Sequence, residues 1–178
     1  MISRTGLMYI LGGLLLGIGA GAAVLLLTRP VGRDQISRLT IGSQAPDFEL
    51  DELSGGSISL SSKVGNPVVI NFWASWCAPC VEEMPNIQSV FEKYPGEFDV
   101  LAVNAGETPD QIQQFVLDVG VKFPILMDQD GLVQNLYRIR GLPTTYIIDR
   151  DGVIRFQHIG LISKKNLTEY LNQLGVGN

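Results

Sequence analysis

The apolar positions along the second part of the chain alternate between two patterns, which indicates strands and helices that alternate. Residues 68–72 form a near-continuous apolar run with β-branched side chains, typical of a strand buried on both faces. We predict seven strands, over residues 48–50, 58–60, 68–72, 98–103, 123–127, 144–148 and 153–158. The first two form a small hairpin around Gly55, and the last two are joined by a tight Asp-Gly turn.

Helical spacing separates most of these strands. We predict a helix over residues 81–94, kinked at Pro85, and a short helix over residues 132–137. Thr108 followed by Pro109 marks the start of another helix, and Ser163 caps the last one. Strands that alternate with helices, followed by a hairpin and a helix, predict an α/β sandwich with a mixed central sheet.

The amino-terminal part has a different character. Residues 7–27 carry no charge over 21 positions, and a helix that spans a membrane needs about 20. Residues 20–22 (AGA) resemble a signal-peptide cleavage site, but the apolar run continues past them. We therefore expect an uncleaved transmembrane anchor. The predicted organisation is a flank, the anchor, a linker and one globular domain, over residues 1–6, 7–27, 28–40 and 41–178.

Charge and cysteine content narrow the chemistry. The net charge of −5 leaves no basic footprint for nucleic acid. The chain has two cysteines, Cys77 and Cys80, separated by two residues, and one histidine, His158. A metal site with four ligands is hard to assemble from this set, whereas two thiols on a strand-to-helix turn can close a small disulfide. The pattern predicts redox chemistry without a metal or cofactor.

The two thiols are predicted to differ. Cys77 stands where a helix begins, and the partial positive charge of a helix N-terminus favours thiolate over thiol, so we expect Cys77 to be exposed and to attack. Cys80, one turn deeper, should be more buried and should resolve the mixed disulfide. Glu83 shares a helix face with Cys80 and could take its proton. The alternative is that Glu83 is a solvated carboxylate, as we expect for Glu82.

Further residues are candidates for docking a substrate. Leu142 and Pro143 precede a predicted strand, and a cis bond between them facing the thiols could present backbone groups to a peptide. Trp76 and Pro79 flank the nucleophile and could border a shallow docking surface. We interpret His158 as a structural residue.

Residues 71–80 (NFWASWCAPC) resemble the active-site segment of thioredoxin-fold proteins, and residues 141–149 (GLPTTYIID) resemble their cis-proline segment. Within that superfamily the chain is similar to the membrane-anchored TlpA/ResA-like thiol-disulfide oxidoreductases, which are related to the AhpC/TSA redoxins. The features that carry this are the apolar N-terminal run, residues 45–48 (APDF), residues 80–85 (CVEEMP) and an inserted strand and helix that include Glu107.

The resemblance implies a role for each matching residue. Cys77 would be the nucleophile, Cys80 the resolving thiol of a Cys77–Cys80 redox disulfide, and Pro143 the cis-proline. Glu83 and Glu107 match glutamates of the ResA-like pattern, although Glu107 could also be an acidic residue that merely precedes a helix cap. Thioredoxin itself has Asp where this chain has Asn71, so acid–base work would fall to Glu83.

The resemblance also implies a location and partners. Such proteins lie outside the cytoplasm, reduce disulfides, notably those of apocytochrome c, and are re-reduced by a membrane thiol carrier. Residues 7–27 would hold this chain in the lipid bilayer as a single-pass protein. The positive charges follow the apolar run more often than they precede it and would place the domain in the cytoplasm, but we give the resemblance more weight.

Two other functions fit parts of the pattern. A thiol peroxidase shares the APDF entry, although a peroxidatic cysteine normally follows Thr-X-X, and Ala74 to Trp76 precede Cys77 here. A copper-delivery module of the same fold would need a wider cysteine spacing and a histidine ligand, for which His158 is the one candidate.

Overall fold

The computed structural model describes residues 39–177, and a five-stranded sheet lies at their centre. The strands in chain order are a hairpin, β1 (Glu49–Asp51) and β2 (Ser57–Ser59), and then β3 (Val68–Trp73), β4 (Asp99–Ala105), β5 (Ile125–Asp128), β6 (Thr144–Ile148) and β7 (Ile154–Ile159). The order across the central sheet is β5-β4-β3-β6-β7. Strands β3, β4 and β5 are parallel, whereas β6 and β7 run antiparallel to their neighbours. The predicted α/β fold with a mixed central sheet is confirmed.

Helices connect the strands, and they begin and end at predicted signals. They are α1 (Ala78–Lys93), α2 (Pro109–Val119), α3 (Leu132–Leu136) and α4 (Lys164–Gln173). Thr108 and Gln111 form a capping box at the start of α2, and Gly120 ends that helix with a left-handed φ of 75°. The Ser163 hydroxyl accepts a hydrogen bond from the Asn166 amide at the start of α4 (3.1 Å). Helix α1 continues through Pro85.

Strand β3 positions the rest of the domain because it is central and buried on both faces. All six of its residues are buried. Side chains alternate along a strand, so Val69 and Trp73 join the apolar cluster that includes α1, while Ile70 and Phe72 join the cluster on the opposite face. Asn71 lies on the α1 face, and its side chain contacts that helix. The sheet thus brings a buried polar side chain underneath the helix that carries both cysteines.

One element was not predicted. A short 3₁₀ helix (Leu60–Lys63) begins where the strand predicted over residues 58–60 should have ended. The Ser59 hydroxyl accepts a hydrogen bond from the Ser62 amide (3.2 Å), and Asp47 Oδ1 accepts one from the Ser61 amide (2.9 Å). Such side chains compete with ladder pairing for backbone amides, which explains why the strand stops early.

The predicted anchor over residues 7–27 lies outside the described residues. Between residues 39 and 177, none of the helices combines the length and the apolar character needed to cross a membrane. The anchor and the predicted domain limits (residues 1–6, 7–27, 28–40 and 41–178) therefore stay predictions.

Candidate active site

Cys77 and Cys80 are joined by a disulfide at the point where the chain passes from β3 into α1. Their Cα atoms are 5.2 Å apart, within the ordinary range for a disulfide. The Cys77 amide donates to the Ala74 carbonyl (3.2 Å), which closes the turn after the strand. The strand-to-helix turn thus brings the two thiols within bonding distance, and the structure shows the oxidised form of the pair.

The two sulfur-bearing residues differ in burial, but less than we expected. Cys80 is fully buried, and Cys77 has only 6% of its surface exposed. The expectation that Cys77 is exposed is therefore wrong for the oxidised form, because both cysteines pack into the apolar cluster with Ala74 and Met84. The side chain that projects into solvent is Trp76, at 70% exposed. The order of burial still leaves Cys77 as the thiol nearer to a substrate.

Cys77 is the N-cap residue of α1, and within residues 39–177 no side chain caps the first amides of this helix. Pro79, in the first turn, has no amide hydrogen to donate. The Cys80 amide donates instead to the Cys77 carbonyl (2.9 Å). The positive end of the helix is therefore not neutralised by a side chain, and after reduction it would favour a thiolate at Cys77.

Glu83 is fully buried, so the interpretation as a solvated carboxylate is wrong. Glu83 Oε1 accepts a hydrogen bond from Asn71 Nδ2 (2.7 Å), and Oε2 accepts one from the Ile162 amide (2.8 Å). Asn71 Nδ2 also donates to Thr145 Oγ1 (2.9 Å). A carboxyl group on the helix that carries Cys80 is thus hydrogen-bonded to β3 and to the loop before α4, and Asn71 links it to β6.

Burial raises the pKa of Glu83 from its ordinary value of 4.5 to about 7, against the hydrogen bonds from the Ile162 amide and Asn71, which favour the charged form. A carboxyl group with such a pKa can both accept and return a proton near neutral pH. Asn71 holds this group in place but cannot exchange a proton itself.

Glu107 is the residue whose importance the sequence left most open. It is 7% exposed, and its carboxylate accepts hydrogen bonds from the Ser75 amide (2.7 Å), from the Ser75 hydroxyl and from Asn104 Nδ2 (2.7 Å). Ser75 lies two residues before Cys77, so Glu107 ties the active-site turn to the end of β4. In the sequence, the match to the family pattern was the one sign of this role, because Glu107 and Ser75 are 32 residues apart.

We expect Glu107→Gln to loosen this turn. A glutamine presents an amide group to one of the donors that now face a carboxylate, and an unsatisfied buried donor costs about 1–3 kcal/mol. The variant should have a lower unfolding free energy and a several-fold lower kcat/KM for disulfide reduction. Denaturant unfolding and a reductase assay measure the two effects. Asp110→Asn, an exposed change on the neighbouring helix, is the matched control, and equal behaviour of the two variants would contradict the positioning role.

Three of the four predicted docking residues line one open groove beside the disulfide. Its volume is about 620 Å³, and Trp76, Cys77, Pro79 and Leu142 are among its lining residues. The Leu142–Pro143 peptide bond is cis, and Pro143 itself is buried next to the groove. Within the described residues, the backbone amide and carbonyl of Leu142 make no hydrogen bond. They can therefore pair with an extended peptide segment.

Two further side chains near the active-site elements, those of Trp73 and His158, are held by structural contacts. Trp73 is fully buried and packs against Phe115, with ring centroids 4.6 Å apart. His158 has Nδ1 3.3 Å from the Tyr170 hydroxyl and Nε2 3.2 Å from the Leu161 carbonyl, and it does not line the groove. Among residues 39–177, no three His, Cys, Asp or Glu side chains are grouped so that they could hold a metal ion.

The domain has a thioredoxin-like sheet, a disulfide at a helix N-terminus between cysteines separated by two residues, and a cis-proline that follows a residue of the same groove. These features define the class of dithiol redox proteins. The AhpC/TSA family model matches residues 41–157, and the chain belongs to this family. Its relatives include the thioredoxin-like protein YneN of Bacillus subtilis, 40% identical over 134 residues, which cover 74% of this chain and 78% of YneN.

Other relatives agree on the activity. The thiol-disulfide oxidoreductase ResA of Bacillus anthracis is 36% identical over 138 residues, which cover 77% of this chain and 80% of that protein. A crystal structure of a thiol:disulfide interchange protein, DsbE, from Chlorobium tepidum superposes with a TM-score of 0.70 at 34% identity, and covers 76% of this chain and 96% of its own. This chain is a thiol-disulfide oxidoreductase with a thioredoxin-like fold.

Proposed function

We propose that the protein is a membrane-tethered reductase of protein disulfides on the extracytoplasmic side of the membrane, with the cysteines of apocytochrome c as substrate. The observation that carries the reductase part is the placement of Cys77, which stands at an uncapped helix N-terminus and lines the groove next to Leu142. A substrate held in this groove presents its disulfide to Cys77, not to the fully buried Cys80.

The reaction starts from the dithiol form. The Cys77 thiolate attacks one sulfur of the substrate disulfide, the substrate S–S bond breaks, and the leaving sulfur takes up a proton. Cys80 then loses its proton and attacks the Cys77 sulfur, which releases the second substrate thiol. Two electrons pass to the substrate, and the Cys77–Cys80 disulfide forms. A membrane thiol carrier would then reduce the Cys77–Cys80 disulfide by the same exchange run in reverse, and so supply two electrons for the next turnover.

Glu83 would take the proton that Cys80 loses. It lies three residues after Cys80 on α1, and its raised pKa of about 7 suits proton exchange near neutral pH. The carboxylate that would receive the proton is fixed in position by hydrogen bonds from Asn71 and the Ile162 amide.

The location and substrate rest on different support. The apolar run over residues 7–27 is long enough for a transmembrane helix and would tether the domain. The likeness to membrane-anchored TlpA/ResA-like proteins favours an extracytoplasmic domain and an apocytochrome c substrate. A tethered reductase also needs a membrane electron source, because soluble cytoplasmic thiols do not reach that side.

Trapping in intact cells tests the proposal. The full chain carrying Cys80→Ala cannot resolve the mixed disulfide, so the attacked partner should stay bound to Cys77 and be identifiable by its mass. We expect an apocytochrome c. A cytosolic partner would overturn both the location and the substrate. Rapid consumption of peroxide by Cys80→Ser would instead indicate a thiol peroxidase.

A further inference from the structure

The groove beside the disulfide has one charged residue in its lining, and that residue is an arginine, Arg140. No carboxylate lines this groove, although the chain as a whole has a net charge of −5. A cationic site in an acidic protein attracts negative charge locally while the rest of the surface repels it. The lining of the groove thus differs in sign from the net charge of the protein.

Arg140 is also available for a ligand. It is exposed, and its guanidinium forms no ion pair or side-chain hydrogen bond within residues 39–177. Two other arginines of the domain are engaged, since Arg155 Nε donates to Asp149 (2.6 Å) and Arg150 Nη1 donates to the Leu174 carbonyl (2.6 Å). Within residues 39–177, Arg138 is free like Arg140, but it does not line the groove. A free guanidinium presents a planar fork of donors that matches a carboxylate.

The position of Arg140 fits an extended peptide. Arg140 lies two residues before Leu142, whose backbone amide and carbonyl are free to pair with such a segment. An extended peptide advances about 3.3 Å per residue, so three residues span about 10 Å. Because Cys77 and Arg140 line the same groove of about 620 Å³, we expect a side chain within about three residues of the attacked half-cystine to reach Arg140.

We propose that Arg140 is a specificity-determining residue that selects protein disulfides with an Asp or Glu side chain within about three residues of the attacked half-cystine. Trp76 and Ile139 supply the apolar part of the same surface. This inference rests on the proposed function, because the groove is taken to hold the disulfide that Cys77 reduces. It adds the chemical character of the substrate, which neither the fold nor the disulfide specifies.

Disulfide-linked peptides test this with the reduced full-length protein. They differ in one residue, Glu, Gln or Lys, placed two positions before the half-cystine in one set and two positions after it in another. We expect kcat/KM to be about two- to five-fold higher for Glu than for Gln in at least one set, as for an ion pair at an exposed site, and lowest for Lys. The preference should shrink at high salt.

Two variants make the result specific. Arg140→Gln should abolish the preference for Glu, so that the ratio of kcat/KM for the Glu peptide to that for the Gln peptide falls to about one. Arg138→Gln removes the same charge from the same loop, but Arg138 does not line the groove, so this variant should keep the preference. Equal losses in both variants would show a general charge effect and overturn the proposal.

Other outcomes separate this inference from the function on which it rests. Reduction of all peptides at equal rates would overturn the role of Arg140 and leave the reductase intact. Failure to reduce any peptide would overturn the proposed function, and the inference with it. A third outcome is that all peptides are reduced at equal rates, while oxidised glutathione is reduced faster than the peptides and this advantage is lost in Arg140→Gln. It would show that Arg140 binds small-molecule carboxylates, and it would overturn selection among proteins.

Discussion

Replacing Cys77 by Ser is expected to remove disulfide reductase activity, by at least ~10³-fold in kcat/KM. A serine hydroxyl is not ionised at neutral pH and cannot form the mixed disulfide, and Cys80 cannot take over because it is fully buried behind Cys77. The measurement is the turnover of a disulfide-bonded protein substrate by the reduced variant, with a chemical reductant as the source of electrons.

Cys80→Ser is the matched control for this prediction, because it makes the same chemical change at the other cysteine. It should also lose turnover, but Cys77 should still attack once, and one equivalent of thiol should be released from a chromogenic aryl disulfide. The stoichiometric burst should be absent in Cys77→Ser. A burst in Cys77→Ser instead of Cys80→Ser would reverse the assignment of nucleophile and resolving thiol.

The elements that the sequence predicted best are those whose signals are local. Strand β6 (Thr144–Ile148) has the predicted limits, because an apolar run is bounded by Pro143 on one side and by the Asp-Gly turn on the other. The start of α2 follows from Thr108 and Pro109 for the same reason. The 3₁₀ helix after Ser59 was missed because serine side chains, not an apolar pattern, determine where that strand ends.

The site shows the limit of local signals more clearly. Spacing places Cys77 and Cys80 at the helix start, but it does not show that the turn folds Cys77 into the core. Glu83 could be placed on the face of Cys80, yet its burial depends on Asn71 and on Ile162, 79 residues further along the chain. The contacts of Glu107 with Ser75 are of the same kind. Contacts between distant segments decide whether a carboxylate is solvated or buried, and periodicity contains no information on them.

The burial of Glu83 should make the stability of the oxidised protein depend on pH in an unusual direction. The pKa of Glu83 is about 7 in the folded protein and near 4.5 when the group is exposed. Between these two pH values the folded state binds more protons than the unfolded state, so the free energy of unfolding falls as pH rises. A shift of this size corresponds to about 3 kcal/mol of stability, which is fully present below pH 4.5 and is lost as the pH rises through the window from 4.5 to 7.

Glu83→Gln should remove this dependence. Denaturant unfolding of the oxidised full-length protein at a series of pH values measures it, and the disulfide keeps the cysteines from titrating in the same range. The informative quantity is the difference between the native protein and the variant, because other groups contribute equally to both. Asp149 is one of them: against its partial burial, hydrogen bonds from the Val153 amide and Arg155 lower its pKa, so it makes stability rise with pH, but only below pH 3.8. Glu82→Gln, an exposed change beside it, is the control and should leave the slope in place.

The same variant should change the pH dependence of reduction. If Glu83 takes the proton from Cys80, the reduced Glu83→Gln protein should lose the change in rate that centres near the pKa of about 7, and its turnover should fall most at the resolving step. Stopped-flow measurement of product release after mixed-disulfide formation isolates that step. Parallel pH–rate profiles, together with a stability difference that follows pH as expected, would show that Glu83 titrates in the core without serving Cys80.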